Sequence, residues 1–246
     1  MVLITALVLS LAATEDCVFY RTPESSTAED ATRAAQAMAT RCKNYGYKGI
    51  HTAVVERDGR KLVQVLCDGG LTPEMKATID AFAGLSGSAI ELRFPVVLSD
   101  VGKEQYRPGA KPSEDKAPPG TRWVRFRNAD EPPLLLRDEL ATKGSEIQMR
   151  TQKESTGKTK TYWDISLLQT RELLKAEIEK LGNPYLLSDG WALEAVALNT
   201  LEKNEEGKIV PAQRFYFTPK SAVVQEALIT PMPFSLQNED TPTVGK

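Results

Sequence analysis

The sequence predicts an α+β protein: a ferredoxin-like βαββαβ domain first, then a second mixed α+β region. Three observations carry this. Between Cys17 and Phe94, strand and helix periodicities follow in the order β, α, β, β, α, β. Asp58-Gly59 supplies a tight hairpin turn between the two central strands. From Ser99 to Gly120 the chain turns rich in proline, glycine and charge, and beyond it the periodicity starts afresh.

Taken in order, Val2–Leu11 is a nearly unbroken apolar run, followed by small residues (Ala12, Ala13) and then Glu15-Asp16. It is too short to span a bilayer and fits a cleaved secretory signal over residues 1–13, although no Lys or Arg precedes it. The other reading is a buried first strand. A secreted or periplasmic protein with no integral membrane span is the expectation.

The ferredoxin-like domain is expected over residues 14–97. Cys17–Tyr20 is its first strand. Thr27 and Asp30 stand at capping-box spacing, and Ala31, Ala34, Ala35, Met38, Ala39, Cys42 and Tyr45 form a helical stripe that Gly46 ends. Alternation at Ile50, Thr52 and Val54 predicts a strand, and Lys61–Cys67 its hairpin partner. Thr72-Pro73-Glu74 opens a second helix, with Met75, Ile79 and Phe82 on its apolar face, before Gly84 and Gly87. Ser88–Phe94 is the closing strand.

In a ferredoxin-like sheet the first and third strands lie side by side, so Cys17, Cys42 and Cys67 are expected near one edge. A disulfide is expected, Cys17–Cys67 first and Cys17–Cys42 second, against three buried free thiols or a reactive or metal-binding thiol. His51, the only histidine, could complete a Cys3His zinc site in principle, but no CxxC pair is present. A Cys–His nucleophilic pair is disfavoured by placing His51 near the end of the sheet opposite Cys42.

After the linker, over residues 98–120, comes a second α+β domain over 121–236 and a loose polar tail over 237–246. Trp123–Arg127 alternates as a strand. Leu134–Leu136 is a strand or a buried turn, and Gly144–Arg150 a weaker signal. Thr161–Ile165 follows a turn. A helix capped by Asp164 or Ser166 should carry Leu167, Leu174, Ile178 and Leu181 on one face. Tyr185–Leu187 is a strand turning at Ser188-Asp189-Gly190. Trp191–Leu201 fits helix by composition and strand by alternation. Lys208–Thr218 is a strand whose Pro211 requires an edge or a bulge, and Ser221–Ile229 is helix or strand.

At 246 residues, 41% hydrophobic and 26% charged, the chain can build real cores. A net charge of −2 opposes a nucleic-acid role built on phosphate neutralisation. No nucleophile elbow or phosphate loop appears. No catalytic, cofactor-binding or metal site is assigned, and no cofactor is expected. Asp164, Asp189 and Glu194 are the acids beside aromatics that a hydrolase would use.

The stretch Tyr45-Gly46-Tyr47, then Thr52–Gly59, Lys61–Val65, Leu71–Glu74 and Gly87–Phe94 resembles the periplasmic portion of SecD, the membrane protein that assists protein export. Leu134–Leu136, Gly144 and Ile147 resemble the segment that follows in that family. Cys67-Asp68-Gly69 stands where the family usually has Leu-Pro-Gly, and SecD's multiple membrane helices have no counterpart. The resemblance implies a shared fold and contact with a peptide or partner. The expected function is therefore a noncatalytic binding or accessory module that contacts polypeptides or an envelope protein. A secreted hydrolase and a structural envelope component are the alternatives.

Overall fold

The structure, a computed structural model, describes residues 17–96, 117–126, 133–143, 147–153, 157, 159–165, 171–203, 206 and 208–239. The apolar run Val2–Leu11 and most of the expected linker lie outside these. The protein is α+β, with antiparallel sheets and four helices among the described residues. It divides into two compact units, Met1–Gly84 with Phe234–Lys246, and Leu85–Pro233.

The first unit holds β1 (Cys17–Arg21), α1 (Ala28–Tyr45), β2 (Ile50–Arg57), β3 (Arg60–Cys67) and α2 (Pro73–Ala83). α1 starts where the sequence marks it: Thr27 Oγ1 accepts from the Asp30 amide at 3.0 Å, and Asp30 reaches back to the Thr27 amide. Gly46, at φ +105°, ends it. Ala31, Ala34, Ala35 and Met38 are buried, and the Thr52 hydroxyl on β2 donates to the Ala35 carbonyl at 2.9 Å. Asp58 and Gly59 both take positive φ, as the two-residue hairpin demands. The Arg41 side chain is fully buried and caps α2, donating to the Phe82 carbonyl at 2.7 Å.

The closing strand corrects the expected βαββαβ unit. The sheet runs β13-β1-β3-β2, where β13 is Gln237–Asn238 from the end of the chain. Tyr20 pairs with Asn238 and Arg21 with Gln237. The place expected for Ser88–Phe94 is thus filled by part of the polar tail expected to be loose. Leu236 is buried, and its amide donates to the Ala83 carbonyl at 2.7 Å.

The strand β4 (Ile90–Pro95) belongs to the second unit. That unit continues with β5 (Thr121–Val124), β6 (Leu134–Lys143), β7 (Ile147–Lys153), β8 (Thr159–Ile165), α3 (Arg171–Leu181), β9 (Tyr185–Ser188), β10 (Trp191–Ala195), β11 (Asn199–Lys203), β12 (Ile209–Phe217) and α4 (Ala222–Ile229). Two antiparallel sheets form, β10-β9-β4-β6-β5 and β11-β12-β8-β7. Leu92, Phe94 and Leu186 of the former share a core with Ile147, Trp163, Ile165, Phe215 and Phe217 of the latter, and with Val224, Ala227 and Leu228 of α4. On the other face of the five-stranded sheet, Leu187 joins Val124, Leu136 and Ala192 in a smaller cluster.

Two further expectations change. Trp191–Leu201 is strand in two pieces, because Trp191 pairs back on Ser188 across the Asp189-Gly190 turn. Asp164 does not cap a helix; it lies in β8, between Gln148 and Tyr216 on the neighbouring strands. Ser166 and Leu167 lie outside the described residues. Pro211 pairs with Leu201 of β11, and among the described residues β12 pairs with β8 only at Phe215–Phe217, so its missing N–H leaves no gap in that described ladder.

Two substitutions test this architecture by urea denaturation. Leu236→Ala should cost about 3 kcal/mol, the usual loss for a buried leucine, whereas a chain end that does not dock on α2 would lose almost nothing. Gly87 has φ +72°, and a Cβ there would overlap the Ala227 carbonyl oxygen of α4. Gly87→Ala should therefore cost more than about 2 kcal/mol; a neutral result would contradict the packing of α4 on this turn.

Candidate functional site

β2 is the outer strand of the first unit's sheet, and among the described residues no strand pairs with its far side. Arg57 pairs with Arg60 across the two-residue turn, so Arg57, Val55, Ala53 and His51 exchange backbone hydrogen bonds with β3. The intervening residues, Ile50, Thr52, Val54 and Glu56, then aim their backbone N–H and C=O groups away from the sheet. Eight residues of such edge form a template for another extended chain.

Beside the start of this edge lies an open cleft of about 420 Å³. Ala39, Thr40 and Lys43 of α1 form one side; Tyr47, Lys48, Gly49 and Ile50 form the other. Neither lysine makes an ion pair among the described residues. The neighbouring acid, Asp68, is engaged: both of its carboxylate oxygens lie 3.1 Å from His51 Nε2. Neither the β2 edge nor Lys43 and Lys48 was singled out in the sequence analysis. Their spacing across the Gly46–Gly49 turn is the signal that could have found them.

The three thiols are free. The expected Cys17–Cys67 disulfide fails by one residue of register. Cys17 pairs with Leu66, so Cys17 and Cys67 project to opposite faces. Tyr20 lies on the helix-covered face, since its hydroxyl donates to Asp80 of α2 at 2.8 Å. Cys17, three residues away, is on the other face, which removes Cys17–Cys42 as well. Cys42 and Cys67 share the helix side, but no cysteine pair is at disulfide distance. Burial pushes the Cys42 thiol up to about 12, and the Cys67 charge adds to this against the opposing effect of Arg41. Ile50 pairs with Cys67, so His51 belongs at the cysteine end of the sheet and not opposite it. Among the described residues no group of three or more His, Cys, Asp or Glu could hold a metal ion.

The three acids considered for hydrolysis each have a separate structural partner. Asp164 is buried and lies 3.2 Å from Arg150. Asp189 accepts from the Ser86 amide at 3.3 Å and the Ser188 hydroxyl at 3.4 Å. Glu194 accepts from the Lys220 and Ser221 amides at 2.7 and 3.1 Å, at the start of α4. No two share a partner. Trp163 is core, stacked on Phe217 at 6.0 Å; Trp191 is 40% exposed.

The sequence matches no protein-family model and no curated protein. Among solved structures it is similar to SecDF. One match is a crystal structure of SecDF in its super-membrane-facing form, at 13% identity and a TM-score of 0.40, covering 91% of this chain and 29% of that one. Another is SecDF described as a membrane component that enhances protein export, again at 13% identity and 0.40, covering 93% of this chain and 100% of that one. The likeness is one of distant backbone shape. No helix among the described residues is long and apolar enough to cross a membrane.

The thiols should separate by reactivity. With an alkylating agent at pH 8, Cys17 and Cys67 should be modified in the native protein and Cys42 only on unfolding; equal rates, followed by mass spectrometry, would refute the buried placement. The sign for stability follows. An unfolded thiol ionises near ~8.5, whereas Cys42 in the folded chain ionises only near about 12. Its contribution is complete below the unfolded value and is lost as pH climbs towards the folded one.

Proposed function

We propose that this protein is a noncatalytic binding module that takes up extended polypeptide at the free edge of β2. The observation that supports it is the unpaired edge itself: the backbone groups of Ile50, Thr52, Val54 and Glu56 face outward on a strand with no outer neighbour among the described residues. β-strand addition draws its affinity from main-chain hydrogen bonds and needs few special side chains. The chain uses the same mode on itself, where β13 adds to β1.

The secreted or periplasmic setting is part of this proposal and rests on the apolar run Val2–Leu11. The sequence resemblance to SecD implies an export or envelope assembly as the context. The separate structural roles of Asp164, Asp189 and Glu194 favour binding over the hydrolytic alternative.

The test is fluorescence anisotropy with a labelled, unfolded polypeptide at low salt. Binding should be saturable. N-methylating alternate amides of a short extended peptide, which removes its edge hydrogen bonds without touching the protein, should weaken binding at least about tenfold. Val54→Pro should do the same while leaving the β2–β3 ladder intact, because the Val54 N–H points outward. A flat titration, or indifference to both changes, would sink the proposal.

A further inference from the structure

Which polypeptide segments suit this edge follows from what stands at its beginning. We infer that the cleft between α1 and the Tyr47–Ile50 turn receives the carboxylate-bearing end of the bound segment, with an apolar side chain beneath it. This rests on the β2-edge reading and deepens it.

Every pairing in the first unit's sheet is antiparallel, and antiparallel pairing is slightly the more stable per residue. A strand added to β2 in that sense ends, at its C-terminal side, beside Ile50. There the cleft opens. Its two cations, Lys43 on α1 and Lys48 on the turn, both line it, and neither has an ion-pair partner among the described residues. The remaining surface is mostly apolar, from Ala39, the Tyr47 ring and Ile50. Asp68, whose side chain lies against Gly49 of this lining, has both carboxylate oxygens 3.1 Å from His51 Nε2. Two lysines in one mostly apolar lining complement an aliphatic residue adjoining a carboxylate. That carboxylate is either the chain terminus or an acidic side chain in the last position.

Wild-type protein would be titrated with three versions of one short extended peptide ending in leucine: free acid, C-terminal amide, and amide with aspartate added after the leucine. The free acid should bind about tenfold more tightly than the amide at low salt, and the advantage should shrink as salt is raised. In the Lys43→Glu/Lys48→Glu double variant the advantage should vanish or reverse. Recovery of affinity with the aspartate peptide supports the inference and assigns a side-chain carboxylate as sufficient; no recovery supports it with the chain terminus as the source. Equal binding of free acid and amide to the wild type overturns the inference. If that equal binding still falls on N-methylation, edge binding stands and only the carboxylate preference is lost. If the free acid is preferred but N-methylation has no effect, edge addition is overturned and the peptide is held by charge alone.

Discussion

The seam between β1 and β13 is the constraint on which the rest of the arrangement turns. A strand inside a sheet needs partners for its backbone on both sides. β1 has β3 on one side and, for Tyr20 and Arg21, the two residues of β13 on the other. So short a strand needs fastening, and side chains provide it. Asp80 of α2 accepts from the Tyr20 hydroxyl at 2.8 Å and from the Asn238 amide at 2.9 Å. Arg21 donates to the Glu239 carbonyl at 2.8 Å, and Arg57, stacked over Phe19, reaches the Glu239 carboxylate at 3.2 Å. Burial, and then the Asp80 contact, hold the Tyr20 phenol far above its ordinary range, so it remains a donor. With that seam filled from the chain's end, β4 is available to the second unit.

Local signals were legible because they are local. The Thr27–Asp30 box, Gly46, Asp58-Gly59 and Thr72-Pro73 each act within a few residues, and each stands where its chemistry places it. The partner of β4 was not legible. Ile90, Leu92 and Phe94 alternating with Glu91 and Arg93 is the pattern of a strand with one wet face. Here that second face is buried: Arg93 is 4% exposed and satisfied by the Glu91 carboxylate and by the carbonyls of Arg137 and Asp138. A charged residue compensated so completely can sit mid-sheet, and alternation alone does not reveal the compensation. β13, at two residues, spans a single strand repeat and so shows no alternation to read.

The cysteines show how narrow such a margin is. Their neighbourhood was correct to within one residue, but side-chain direction in a strand has period two, so one residue is the difference between a shared face and opposite faces. The acids of the second unit illustrate another limit. Asp189 and Glu194 look available in sequence because nothing nearby pairs with them. Apart from the adjacent Ser188 hydroxyl on Asp189, their partners are backbone amides at Ser86, Lys220 and Ser221, which no side-chain pattern records.

The same physics separates the two edges of the first unit. An open edge invites unwanted pairing, and proteins blunt it with charges, bulges or a covering segment. The β1 edge is covered by the chain itself. β2 carries charged side chains only at Glu56 and Arg57, next to the hairpin turn, while Thr52, Ala53, Val54 and Val55 are uncharged and undistorted, each in register with β3. Nor is the strand free to move away from its helix, since Thr52 is tied to Ala35. An edge tied to its helix, without a bulge and without charge at its centre, lacks the usual defences where a partner strand would lie. A covering segment was within the means of this chain, as β13 demonstrates. Among the described residues such a segment covers one edge of the sheet and none covers the other, and that asymmetry is what the proposed binding mode draws on.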